Sequence, residues 1–117
     1  MIKHAIRQAE RSVFYRARIG AVVVRGGRIL GRGYNRIRYY HESRHIIHKH
    51  KESLHAEVDA IINSPCNLRG ATMYVARLRK DGGLALAKPC KYCAELINKC
   101  GIKRVIYTTD QGVINNG

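Results

Sequence analysis

The stretch His55-Ala56-Glu57-Val58-Asp59-Ala60-Ile61-Ile62 opens on a histidine with a carboxylate two residues later. A second stretch, Pro89-Cys90-Lys91-Tyr92-Cys93-Ala94-Glu95-Leu96-Ile97, carries two thiols three residues apart. Each stands at the start of a segment with helical apolar spacing. Between them they supply one imidazole and two thiolates, a donor set that suits zinc, and one carboxylate that is not needed as a ligand. Three protein ligands leave the fourth tetrahedral position to water, which is the arrangement of a catalytic site rather than a structural one.

The chemistry accounts for the residue types. Water on zinc has a pKa near ~7 instead of ~15.7, so it is a nucleophile at neutral pH. On a helix, residues i and i+2 point about 200° apart, so Glu57 does not compete with His55 for the metal. A carboxylate in a largely dry pocket can take a proton from that water and return it to a leaving group, acting as general base and then general acid. Read singly, C-x-x-C equally suits a redox pair or half of a structural zinc site, and H-x-E is common on helix surfaces. Their conjunction and order point to a catalytic zinc site that activates water.

The second stretch has its own helical logic. Pro89 suits a helix entrance, where its missing N–H is no loss. Cys90 is expected in the first turn, where free N–H groups favour a thiolate, with Cys93 on the same side. The helix should end at Gly101 in a C′ position.

The 117 residues suffice for one domain, 1–117, around one core. No apolar run reaches membrane-span length, and Met1-Ile2-Lys3-His4-Ala5-Ile6-Arg7 lacks the apolar block of a signal peptide. Committing two of the four cysteines as ligands argues for a reducing compartment, and the cytoplasm is the expected location.

Charge is the other informative feature. Lys plus Arg number 22 against 8 Asp plus Glu, a net charge of +14. Arg25, Arg28, Arg32, Arg36, Arg38, Arg44, Lys49 and Lys51 crowd one region and interleave with Tyr34, Tyr39 and Tyr40. Such a surface can neutralise phosphates and stack bases, which makes Arg36 and Arg38 candidate substrate contacts. The same charge also serves solubility or the phosphate of one nucleotide.

The periodicities predict a helix from Ile2 to Arg16, a hairpin of Ile19–Val24 and Arg28–Tyr34 turning at Gly26-Gly27, and a long loop from Asn35 to Ser53. A helix from Leu54 to Ser64, a strand from Thr72 to Leu78, a loop, the Cys90 helix and a strand from Lys103 to Thr108 complete the chain. Strand–helix–strand order at the end predicts a parallel pair with a right-handed crossover.

In that order, Gly33-Tyr34-Asn35, His55-Ala56-Glu57, Thr72-Met73-Tyr74-Val75, Pro89-Cys90-Lys91-Tyr92-Cys93 and Gly101-Ile102-Lys103-Arg104-Val105-Ile106-Tyr107 resemble the cytidine/deoxycytidylate deaminase superfamily, over about Ile19 to Thr109. The resemblance implies an α/β fold, a three-layer α/β/α arrangement on a mixed sheet, here expected to be truncated after the fourth strand. It implies zinc on His55, Cys90 and Cys93, with Glu57 as proton shuttle. It also implies a substrate contact at Asn35, and backbone groups at Ala56 and at Lys88, just before Pro89, that read the polar edge of the base. The expected activity is hydrolytic deamination of cytosine to uracil on a phosphate-bearing substrate, either a deoxycytidylate-type nucleotide or single-stranded nucleic acid. The alternatives are an adenine-directed deaminase and an inactive basic nucleic-acid-binding zinc module; retention of Glu57 speaks for the enzyme. A homo-oligomer is expected. A second, structural zinc, held in some members near the loop containing His41, His45, His48 and His50, with Cys66 downstream, stands against a solvated basic loop and buried thiols at Cys66 and Cys100.

Overall fold

The computed structural model describes residues 1–14, 17–38, 52–65 and 67–116. Its elements are α1 (Ile2–Glu10), β1 (Arg18–Arg25), β2 (Arg28–Tyr34), β3 (Arg36–Arg38), β4 (Glu52–Leu54), α2 (Ala56–Ile62), β5 (Thr72–Leu78), β6 (Leu84–Ala85), α3 (Lys91–Lys99), β7 (Arg104–Thr109) and β8 (Gly112–Asn116). The main sheet runs β2-β1-β5-β7-β8, with β6 paired to the end of β5. β5 and β7 are parallel, joined through α3; the other pairs are antiparallel.

The alternation of β1 sorts its side chains to two layers. Ala21 and Val23 join Ala56, Ala60, Met73, Val75 and Ile97 in the core beneath α2 and α3, while Val22 and Val24 pack with Ala5 and Ala76 beneath α1. Helices therefore cover both faces of a mixed sheet, the expected three-layer arrangement. Gly33 sets the distance between β2 and α2: a Cβ there would collide with the backbone of Ala56 and Ala60. No helix among the described residues is long and apolar enough to cross a membrane.

Several boundaries differ from the sequence reading. α1 stops at Glu10 rather than Arg16, because the Ser12 hydroxyl accepts the Phe14 N–H at 3.2 Å, a local bond that competes with the helix. Leu54 belongs to β4, which pairs with β3 at the two ends of the segment read as a loop; residues 39–51 lie outside the described part. The expected truncation after the fourth strand is corrected: Asp110 and Gln111 turn the chain into β8, whose Val113 lies opposite Thr108 as a fifth strand of this sheet.

Candidate metal centre and its cavity

His55 and Cys90 are both N-cap residues, of α2 and α3 respectively. Both have extended backbones, which directs each side chain off the end of its helix. Cys90 therefore precedes the first turn instead of lying in it, and Pro89 stands before the cap. Its sulfur accepts the Cys93 N–H at 3.5 Å, the bond an N-cap oxygen ordinarily makes to the third helical residue. α3 closes with Gly101 at C′ (φ 79°), its N–H on the Asn98 carbonyl and the Ile102 N–H on that of Ile97, the Schellman pair.

These two helix starts bring the donors together. The ligand atoms of His55, Cys90 and Cys93 all lie within 4.8 Å of one another. His55 Nδ1 is 3.2 Å from Cys93 Sγ and 3.8 Å from Cys90 Sγ. Zinc bonds of about 2.0 Å to nitrogen and 2.3 Å to sulfur give tetrahedral edges of roughly 3.5 Å, so the set fits zinc as it stands. Electrostatics points the same way. Burial, with Glu57 and Cys90 adding to it, pushes the Cys93 thiol well above its ordinary range. A divalent cation is what such a cluster needs to become two thiolates.

Glu57, in the first turn of α2, is 6% exposed. Burial raises its pKa, opposed by its backbone hydrogen bond and by nearby His55. It faces a cavity of about 290 Å³ whose wall also includes Ile19, Asn35, His55, Arg77, Leu86, Ala87, Lys88 and Cys90. The ligand set, the carboxylate, Asn35 and Lys88 are thus brought into one place. Ala56 is buried immediately beside them.

Asn35 lines the cavity with its amide tied to β1: its oxygen accepts the Ile19 N–H at 2.8 Å and its nitrogen donates to the Ala17 carbonyl at 2.6 Å. Arg36 is not on this wall. Its guanidinium pairs with Asp59 at 2.8 Å, and both line a separate cavity with Tyr34 and Arg11. The side chain of Arg38 lies outside the described residues, as do His41, His45, His48, His50 and Cys66. Cys100 is half-buried and packs against the core, and among the described residues the only grouping able to hold a metal is His55, Cys90 and Cys93. Sequence reading missed Arg77. Its signal is the alternation Met73, Val75, Arg77 in β5, which puts a cation on the face that carries the core.

A mixed sheet with two helix-capping metal donors, a third donor one turn on and a buried free carboxylate defines a zinc-binding deaminase domain. The family model for the cytidine and deoxycytidylate deaminase zinc-binding region matches residues 1–109, and the chain belongs to that family. It is 32% identical over 120 residues to deoxycytidylate deaminase of Homo sapiens, covering 92% of this chain and 61% of the relative. Deoxycytidylate deaminase of enterobacteria phage T4 is 36% identical over 70 residues, 57% of this chain and 31% of the relative. The chain thus spans about three fifths of the human relative's length. The dCMP deaminase of cyanophage S-TIM5, solved in complex with dCMP and dUMP, shares the fold with a TM-score of 0.66 at 23% identity, over 92% of this chain and 77% of that one.

Proposed function

We propose that the chain deaminates the cytosine base of deoxycytidylate, turning dCMP and water into dUMP and ammonia. The observation that carries this reading is Glu57, a buried carboxylate two residues after a metal-donor histidine on the wall of the same cavity. The names of the relatives at 32% and 36% identity support the substrate.

Bound zinc supplies the Lewis acidity that makes water a nucleophile at neutral pH. Glu57 takes a proton from the attacking water and gives it to the ring nitrogen, then takes the remaining proton of the added hydroxyl as that oxygen becomes the carbonyl and gives it to the exocyclic amine. The new C–O bond forms at C4 and the C–N bond to the amine breaks. Burial suits Glu57 to this traffic, since raising its pKa toward the working pH makes it both a better base and an available acid. Asn35 orients the start of β1 and, through its position on the cavity wall, the bound sugar and base. Ala87, whose N–H is held on the Thr108 carbonyl at 2.9 Å, fixes the approach to Lys88 and Pro89, where backbone groups face the base edge.

The test is incubation of the zinc-loaded chain with dCMP, deoxycytidine and a cytosine-containing single strand, with ammonia and uracil product measured. Turnover of dCMP is expected. Turnover confined to the single strand, or to an adenine-bearing substrate, overturns the assignment.

A further inference from the structure

The turns at one end of the main sheet carry a row of cations. Arg25 ends β1 and lies opposite Arg28, the first residue of β2. Val24 and Arg104 both lie opposite Thr72, the first residue of β5, so Arg104 at the start of β7 stands at the same end. Arg69 and Lys103 belong to the segments that lead into β5 and β7. All five residues are exposed. The cavity of Glu57 is at the other end, where Ile19 and Arg77 pair, roughly 20 Å away at about 3.3 Å per residue.

Hydrogen bonds make this end a rigid platform. The Arg25 guanidinium donates to the Asn67 and Arg69 carbonyls at 3.0 and 3.1 Å. The Gly70 N–H donates to the Gly101 carbonyl at 2.9 Å, and the Lys103 N–H to that of Ala71 at 2.8 Å. The β1–β2 hairpin and the entries to β5 and β7 are thereby stitched together. Neutral carbonyls orient Arg25 and leave its charge in place. Carboxylate side chains stand elsewhere in the sequence: residues 11–41, 60–80 and 96–109 contain no Asp or Glu. Among the described residues none of the five cations forms an ion pair.

Along the order β2-β1-β5-β7 the row crosses three interstrand steps of about 4.8 Å, roughly 14 Å in all. Duplex DNA carries one charge per ~1.7 Å of axis, so that span faces a stretch bearing about eight phosphates. Guanidinium groups, four of the five, match phosphate oxygens with a planar fork of donors. Residues 25–28, 67–71 and 99–104 include no aromatic side chain, so nothing there stacks unpaired bases as a single-strand site does. The large apolar residues that stand exposed among the described ones, Met1, Val13, Ile62, Leu86, Tyr92 and Val113, also fall outside these segments. A membrane-surface site sets such residues beside its charges.

We infer that this end of the sheet docks the phosphate backbone of double-stranded nucleic acid without reading its sequence, and leaves the Glu57 cavity open at the far end. The row is a docking surface with no part in deamination. The inference does not depend on which base the cavity accepts.

The experiment measures the fluorescence anisotropy of a labelled DNA duplex of about 20 base pairs, titrated with the zinc-loaded chain across a salt series. Zinc content and circular dichroism serve as controls. Four or five phosphate contacts should give a slope of log affinity against log salt of about −4. Arg28→Gln with Arg104→Gln should weaken binding at least about tenfold near ~0.1 M salt and flatten the slope by about 2, with dCMP turnover unchanged. Arg7→Gln with Lys80→Gln removes the same formal charge away from the row and should leave the slope as in wild type. Should the first pair fail to fold, Arg69→Gln with Lys103→Gln decides on the same criteria. Equal weakening by the row pair and the distant pair overturns the inference, since net charge alone would then hold the duplex. So does a wild-type slope shallower than about −2, or tighter binding of a single strand of the same sequence. Row-dependent binding to phosphatidylserine vesicles with none to the duplex overturns it as well. A chain that binds the duplex through the row and deaminates nothing leaves this inference standing and removes the deaminase. A chain that deaminates dCMP and ignores the duplex does the reverse.

Discussion

The Cys93 backbone N–H rests 3.5 Å from the Cys90 sulfur, so one candidate metal ligand caps the helix that carries the other. Helix start and metal centre are the same few atoms. Anything that removes the sulfur acts on both.

Cys90→Ala should therefore lose zinc and, measured in chelator, also lose about 1 kcal/mol of stability through the missing cap. Cys90→Ser keeps an acceptor for the Cys93 N–H and should retain most of that apo stability while binding zinc poorly. Urea unfolding with and without chelator, with metal analysis, distinguishes the two; full zinc occupancy in Cys90→Ala contradicts the ligand assignment.

Glu57→Gln should keep zinc and fold but lower kcat for deamination by about 10²–10⁴-fold, since a proton carrier is removed and little else changes. Turnover at the wild-type rate would exclude Glu57 as the shuttle.

Removal of the metal should expose a difference between the two thiols. Cys90 is exposed, whereas Cys93 is buried and its thiol is held far up by burial, Glu57 and Cys90. In the metal-free chain an alkylating reagent at mildly alkaline pH should modify Cys90 first and Cys93 at least about tenfold more slowly. Equal rates by mass spectrometry would argue against the buried placement.

The Arg36–Asp59 pair joins the start of β3 to α2, with Asp59 1% exposed and also accepting the N–H of Tyr34, the last residue of β2, at 3.2 Å. Asp59→Ala should cost about 2–3 kcal/mol, measured by chemical unfolding, because the loss strands a peptide N–H as well as an arginine. Arg36→Gln should leave dCMP turnover unchanged, since Arg36 stands on a different cavity from Glu57.

Asp81 gives a pH dependence with a definite sign. The Gly83 N–H, at 2.8 Å, and Arg79 hold its carboxyl below the ordinary range. The turn between β5 and β6 therefore gains stability that is present above the ordinary carboxylate pKa and lost as pH falls through the lowered value. Titration of the Gly83 amide shift by NMR should show an inflection below that of an unstructured aspartate, and Asp81→Asn should abolish it.

Much of this was readable from residues. The donor set, the free carboxylate, the Gly26-Gly27 hairpin, the Gly101 stop and the parallel β5–β7 pair all rest on local rules of spacing, capping and chain direction. What could not be read depends on tertiary neighbours. Arg36 looked like a phosphate contact from its place in a basic run, yet buried Asp59 on another element claims it. Arg77 drew no reading from the sequence: the alternation in β5 puts it on the face that carries the core, but nothing in its own segment tells that a cavity lies there. β8 lacked a signal of its own, since its pairing is dictated by β7.

The approach of β2 to α2 at Gly33 has a consequence for how the domain can drift in sequence. Backbone meets backbone at that seam, with the small residues Ala56 and Ala60 on the helix side. The atoms that meet Gly33 are backbone and the Asp59 Cβ, none of which has a rotamer to exchange, so the seam works as a ruler: the spacing it sets does not follow the repacking that substitutions provoke elsewhere in the core. Neighbouring apolar positions are left free to vary in volume while α2, with His55 as its N-cap, stays at the same height over β2. The seat of the helix that begins at His55 is thereby separated from the composition of the core around it.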